Sequence, residues 1–77
     1  MQTAQETLDQ YFREMRWRCV SLAADLDRVE RAEGGPTTLQ NDPRLQKLHR
    51  ALSVLTEGKP GRAAAVEMIF SDTSPPP

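Results

Sequence analysis

The chain has few of the residues that form disulfides, bind structural metals or act as nucleophiles in small proteins. It contains one cysteine and one histidine in 77 residues. A single cysteine excludes an intramolecular disulfide, and these two residues fall short of the ligand set of a structural zinc site. We therefore expect no metal and no cofactor. Because a single small core gives limited stability, oligomerisation is the expected source of additional stability.

Long apolar runs and a strong net charge are also missing. No segment reaches the roughly 18 consecutive apolar residues of a membrane span, and no basic start precedes an apolar stretch. The chain is expected to be soluble and cytoplasmic, with no membrane partner. Ten basic and eleven acidic side chains give a formal net charge of −1, which argues against nucleic acid as the main partner.

What the first half of the chain does contain is an apolar ladder, which we call the seam. Its steps alternate between four and three residues, the heptad spacing of a helix that packs along another helix. The spacing predicts one long helix over residues 4–33. A capping box of Thr3 and Glu6 should begin this helix, and two glycines and a proline should end it. The members of the seam are Leu8, Phe12, Met15, Cys19, Leu22, Leu26 and Val29.

Two shorter helices are predicted in the second half of the chain. Residues 37–41 are interpreted as a polar loop, and Asp42 before Pro43 is typical of a helix start, which gives a second helix over residues 43–57. A break rich in glycine and proline then precedes a third helix over residues 61–70. The main apolar positions of these two helices are Leu45, Leu48, Leu52, Leu55, Val66 and Ile69.

The three helices predict an all-α fold, in which the shorter helices run back along the long one as an antiparallel helical hairpin. End to end, the two shorter helices would measure ~37 Å against ~45 Å for the first. Equal rise along both arms places Leu48 beside Leu26, and the other apolar positions face the seam in the same way. All of them are predicted to form the hairpin core. Residues 1–70 are interpreted as one domain and residues 71–77 as a disordered proline-rich tail.

A second apolar strip, Trp17, Val20 and Ala24, lies on the side of the first helix away from the seam. We call it the Trp17 strip. An indole left in water forgoes about 1.5–3 kcal/mol of burial, which favours a partner surface there. The expected partner is a second copy, so that two hairpins form a dimeric four-helix-type bundle. There are two alternatives to a partner surface: Trp17 is an isolated exposed side chain, or the hairpin is rolled differently and buries Trp17 in its core.

Candidate reactive groups have structural explanations. Cys19 occupies a seam position, where cysteine acts as a small apolar side chain, and His49 is expected to be a partly exposed helix residue. The acidic cluster from Asp25 to Glu33 is interleaved with arginines, as in a solvated ion-pair face. Residues 58–62 resemble a phosphate loop in composition, but no strand precedes them, so we interpret them as a helix break. We therefore predict no catalytic residue and no enzyme.

Nucleic-acid binding is the main alternative to a protein-interaction role. Arg13, Arg16, Trp17 and Arg18 place basic groups around an aromatic ring, which could contact phosphates and stack on bases. Neighbouring acids and the overall charge balance argue against it. The sequence therefore predicts a non-catalytic assembly module that self-associates through its first helix. The alternatives are a nucleic-acid-binding accessory protein and a small regulatory subunit of a larger enzyme.

Overall fold

The computed structural model describes residues 1–71, and all four regular elements in that range are α-helices. They are α1 (Ala4–Arg31), α2 (Gly35–Asn41), α3 (Pro43–Thr56) and α4 (Arg62–Ser71). The predicted all-α class is confirmed for these residues. The chain divides into two compact units, one from Met1 to Pro36 and the other from Thr37 onward.

α1 begins at Ala4 because the predicted capping box is present. The Thr3 hydroxyl oxygen accepts a hydrogen bond from the Glu6 backbone N–H at 3.1 Å, and the Thr3 N–H donates to Glu6 Oε1 at 3.2 Å. Two backbone amides at the helix start are thereby satisfied. The 28 residues of α1 include neither glycine nor proline, and the helix measures about 42 Å.

α1 ends at Arg31, earlier than the predicted residue 33, because a tight turn begins there. Ala32 leaves the helical backbone with ψ 161, and its carbonyl accepts from the Gly35 N–H at 2.9 Å. Gly34 has φ +75, which favours glycine. A Cβ on Gly35 would collide with backbone carbonyl oxygens in the last turn of α1. Each glycine therefore meets a different backbone requirement of the turn.

The prediction of a polar loop over residues 37–41 is wrong, because these residues belong to α2. Threonine and asparagine have weak helix preference, and Leu39 is the one large apolar side chain of the segment, so no apolar period marks it as a helix. Pro36 lies in the first turn of α2, where a missing amide is tolerated. The helix stops at Asn41 because the residue before Pro43 is pushed into extended backbone.

Asp42 has this extended backbone, with φ −69 and ψ 128, and it caps α3, as predicted. Its carboxylate accepts from the Arg44 backbone N–H at 2.9 Å, and the Arg44 guanidinium donates to both carboxylate oxygens at 3.0 and 2.9 Å. The side-chain hydrogen bond and then the backbone hydrogen bond lower the pKa of Asp42 from 3.8 to about 2. The same pairing raises the pKa of Arg44.

α3 packs against α4 within the second unit. α3 ends at Thr56, next to the predicted end at residue 57, and Gly58 follows with φ +80, as is common after a helix. Ala51 on α3 is 4% exposed and is the one buried hydrophobic side chain in residues 1–71. The half-buried apolar side chains of the two helices are Leu45, Leu48, Val54, Ala65, Val66 and Ile69.

α4 is close to the predicted third helix, but it includes Ser71. The sequence assigns Ser71 to the tail because prolines dominate the end of the chain, yet the residues before it continue the helix up to this position. The rest of the predicted tail, residues 72–77, lies outside the described residues.

Candidate interaction surface

Most of the large apolar side chains that remain exposed belong to α1. On the seam, Phe12 is 55% exposed, Leu8 and Met15 are roughly half exposed, and Cys19 is also exposed. These positions follow one another about one helical turn apart, so they form a continuous strip about 16 Å long. A contiguous exposed apolar strip is typical of an interaction surface.

Tyr11 widens this strip, although the ladder of the seam does not include it. It lies three residues after Leu8 and four before Met15, which places it on the same side of α1. The same spacing could have identified it from the sequence. Its ring is roughly half exposed. We call Leu8, Tyr11, Phe12, Met15 and Cys19 the open seam.

The residues predicted for the hairpin core differ in burial. On α1 the half-buried members all lie toward the C-terminal end of the helix, and a core shared by the two units stays a prediction. The exposed members are Leu8, Phe12, Met15, Cys19, Leu52 and Leu55. The half-buried members are Leu22, Leu26, Val29, Leu45, Leu48, Val66 and Ile69.

A shallow depression beside the open seam combines apolar side chains with charges of both signs. It is lined by Leu8, Asp9, Phe12, Arg13 and Arg16, all of which lie on α1. Asp9 accepts a hydrogen bond from the neutral Gln5 amide at 3.1 Å. Within residues 1–71, neither Asp9 nor Arg16 takes part in an ion pair. Since one helix supplies every lining residue, only a second surface can close this depression.

The Trp17 strip is smaller than the open seam. Trp17 is 65% exposed and Val20 is roughly half exposed, whereas Ala24 is half-buried. At about 100° per residue, Trp17 lies on the side of α1 opposite Leu8 and Leu26. The strip predicted as an interface therefore presents two large exposed side chains.

The predicted basic patch divides around Trp17. Arg18 forms an ion pair with Glu14 at 2.9 Å, and both side chains are exposed. Around the helix, Arg13 lies between Arg16 and Trp17, while Arg18 lies on the other side of the indole. The two arginines on the Arg13 side are thus the ones available to a common ligand.

The other candidate groups are at the surface. Cys19 and His49 are both exposed, and within residues 1–71 no group of three His, Cys, Asp or Glu side chains could hold a metal ion. Asp25 accepts from Arg28 at 2.7 Å, which confirms the predicted ion-pair face for this pair. The predicted helix break is confirmed at residues 58–61, which contain two glycines with φ +80.

The chain matches no family model, no curated protein and no solved structure. None of the helices in residues 1–71 has the length and apolar character needed to cross a membrane.

Proposed function

We propose that this protein is a non-catalytic helical assembly module of the cytoplasm that self-associates through α1. The open seam carries the proposal, because its apolar side chains remain exposed along one side of a single helix. Heptad spacing is the pattern by which paired helices interlock, and each Å² of apolar surface removed from water contributes about 25 cal/mol. A second copy offers the same surface, as a two-fold symmetric dimer requires.

The Trp17 strip is the second contact in this proposal. A helix pair formed through the open seam leaves Trp17 and Val20 on the outer side of α1. In a dimeric four-helix-type bundle another helix would cover them. The half-buried state of Ala24 supports a smaller role for this strip than for the open seam.

The antiparallel hairpin belongs to the same proposal, together with the single domain over residues 1–70. In this proposal α3 runs back along the C-terminal half of α1, with Leu48 beside Leu26, and α4 packs against α3 rather than continuing along α1. Leu26 and Leu48 are each half-buried, so the proposed pairing would remove the rest of their apolar surface from water. Farther from the turn, Cys19 and Leu55 are exposed. The N-terminal half of α1, which carries the open seam, is thereby left for a second copy.

Cys19 gives a direct test of self-association. Its thiol lies within the open seam and is exposed in the single chain. The rate of its reaction with a thiol reagent should therefore fall about tenfold or more as protein concentration rises through the dissociation constant. Phe12→Asp should abolish this dependence on concentration, because a buried carboxylate is strongly disfavoured. Gln10→Asp, which places the same charge outside the open seam, should retain it. A rate that is equal at all concentrations would contradict the proposal.

Nucleic-acid binding is the second candidate, favoured by the exposed positions of Arg13 and Arg16 next to Trp17. Phosphate contacts make such binding strongly dependent on salt. If this function operates, Arg13→Ala should weaken binding of a fluorescent oligonucleotide more than Arg18→Ala, since Arg18 is paired with Glu14. No binding at low salt would exclude nucleic-acid binding.

A regulatory subunit of a larger enzyme would use the same apolar surfaces of α1 toward a different chain.

A further inference from the structure

We propose that two copies pair antiparallel through the open seam, about a two-fold axis between residues 13 and 14 of α1. This inference rests on the proposed self-association, and it adds the orientation and the register of the pair. It follows from three properties of the open seam: which side chains are exposed, how their sizes alternate, and where the flanking charges lie.

The apolar layers match in this register. In an antiparallel pair centred there, residues whose numbers sum to about 27 lie at the same level. Leu8 of one copy then lies opposite Cys19 of the other, and Phe12 lies opposite Met15. Each layer joins a heptad a position to a d position and sets a larger side chain against a smaller or more flexible one. All four residues are exposed in the single chain.

The flanking charges are complementary in the same register. Asp9 directly follows Leu8, and Arg16 directly follows Met15, so both flank the open seam on the same side. The two-fold axis brings Asp9 of each copy to Arg16 of the other, about 3 Å apart along the helix axis. Two ion pairs result, formed by residues that have no ion-pair partner within residues 1–71.

The other side of the open seam is compatible as well. Tyr11 forms the edge of the open seam there, and Arg18, which is paired with Glu14 in the single chain, lies beside it. The same axis brings the Arg18 guanidinium of one copy to the Tyr11 ring of the other. A guanidinium over an aromatic ring is a favourable cation–π contact. Both edges of the interface thus consist of matching groups.

Other arrangements bring like charges together. An antiparallel pair centred on residue 17, one layer along, sets Arg16 against Arg16 and Arg18 against Arg18. A parallel pair gives Asp9 no arginine and sets Asp25 beside Glu30 of the second copy. Like charges at these flanking positions oppose pairing, which is how flanking residues determine orientation in coiled coils.

Burial disfavours a pair centred farther along α1. Such a pair needs Leu22 and Leu26 as contact residues, and both are already half-buried in the single chain. It also brings Asp9 toward Glu30. The exposed part of the seam and the complementary charges therefore coincide only in the register centred between residues 13 and 14.

Charge reversal tests the flanking pairs. Asp9→Arg and Arg16→Asp should each weaken dimerisation about tenfold or more at low salt, and the double variant should restore it to within about threefold. Sedimentation equilibrium measures the dissociation constants. Gln10→Arg, a charge change outside the open seam, serves as the control and should alter the constant less than about threefold. A double variant as weak as either single variant would overturn the proposed pairing.

A distance measurement tests the register separately. A spin label on Arg31→Cys, in a Cys19→Ala background, should give an interchain distance of about 52 Å by double electron–electron resonance. A pair centred on residue 17 would give about 42 Å, and a parallel pair about 20 Å or less. A dimer with either of these shorter distances would overturn the register but retain the proposed function. A chain that is monomeric at every concentration would overturn both.

Discussion

α1 and α3 carry the same kind of apolar ladder, but they differ in burial. α3 packs against α4, and Ala51 on α3 is buried, whereas α1 has no buried residue along its 28 residues. Both helices have regular caps and apolar spacing, so local sequence does not explain the difference. The spacing of a ladder therefore predicts which side of a helix requires cover, but not whether the same chain supplies that cover.

Disrupting the packing of α3 against α4 should have the largest effect on the stability of the single chain. Ala51→Asp places a carboxylate where the native side chain is 4% exposed, and we expect a loss on the order of 3 kcal/mol in the free energy of unfolding of the second unit. Ser53→Asp adds the same charge at an exposed position of α3 and should cost much less. Thermal unfolding followed by circular dichroism compares the two. Equal losses would contradict the burial assigned to Ala51.

The glycine turn after α1 should show the next largest effect. Gly35→Ala forces a Cβ against backbone carbonyl oxygens and should cost about 2 kcal/mol, because backbone cannot move aside as a side chain can. Gly34→Ala meets open space but must hold a positive φ, which should cost about 1 kcal/mol. Unfolding by urea gives both values. A larger loss in the free energy of unfolding for Gly34→Ala than for Gly35→Ala would contradict this explanation. The requirement for glycine at position 35 would then not come from its close contact with the carbonyl oxygens of α1.

The capping box should contribute about as much to the stability of α1 as the Gly34→Ala substitution costs. Thr3→Ala removes the acceptor for the Glu6 amide and should cost α1 about 1 kcal/mol, while Thr3→Ser keeps the acceptor and should be nearly neutral. Helicity at 222 nm during thermal melting measures both changes. Equal melting of Thr3→Ala and the native chain would show that α1 does not depend on its local cap.

Losing the Asp42 charge at the cap of α3 should have the smallest effect on stability, and it is detected by lowering the pH. The folded pKa of Asp42, about 2, lies below its ordinary 3.8, so its stabilisation is present above pH 3.8 and is lost as the pH falls toward 2. Asp42→Asn can still accept the Arg44 amide but does not titrate. Its helicity should therefore lack this acid-dependent step in circular dichroism. The same step in both proteins would assign the acid effect to another group.

The sequence predicts those parts of the fold that depend on local chemistry. Thr3 with Glu6, Asp42 with Pro43, and the glycine after α3 mark helix boundaries through capping and backbone preference, and each is present in the structure. Such signals act over a few residues, so they can be recognised without knowledge of the tertiary structure.

The parts that were not predicted depend on weak preference or on packing. α2 has no apolar period, so nothing in residues 37–41 distinguishes it from a loop. The exposure of Cys19 and the difference in burial along the seam could not be predicted either, because a ladder has the same spacing whether or not a partner covers it. Tyr11 could have been included in the candidate surface, since it shares a helix side with Leu8 and Met15.

Self-association through α1 is tested most directly by absolute mass, measured by light scattering on a sizing column over a range of concentrations. The native chain should give a species of twice 8.7 kDa that persists on moderate dilution. Phe12→Asp should give 8.7 kDa while remaining helical. A native chain that elutes at 8.7 kDa at every concentration would contradict self-association.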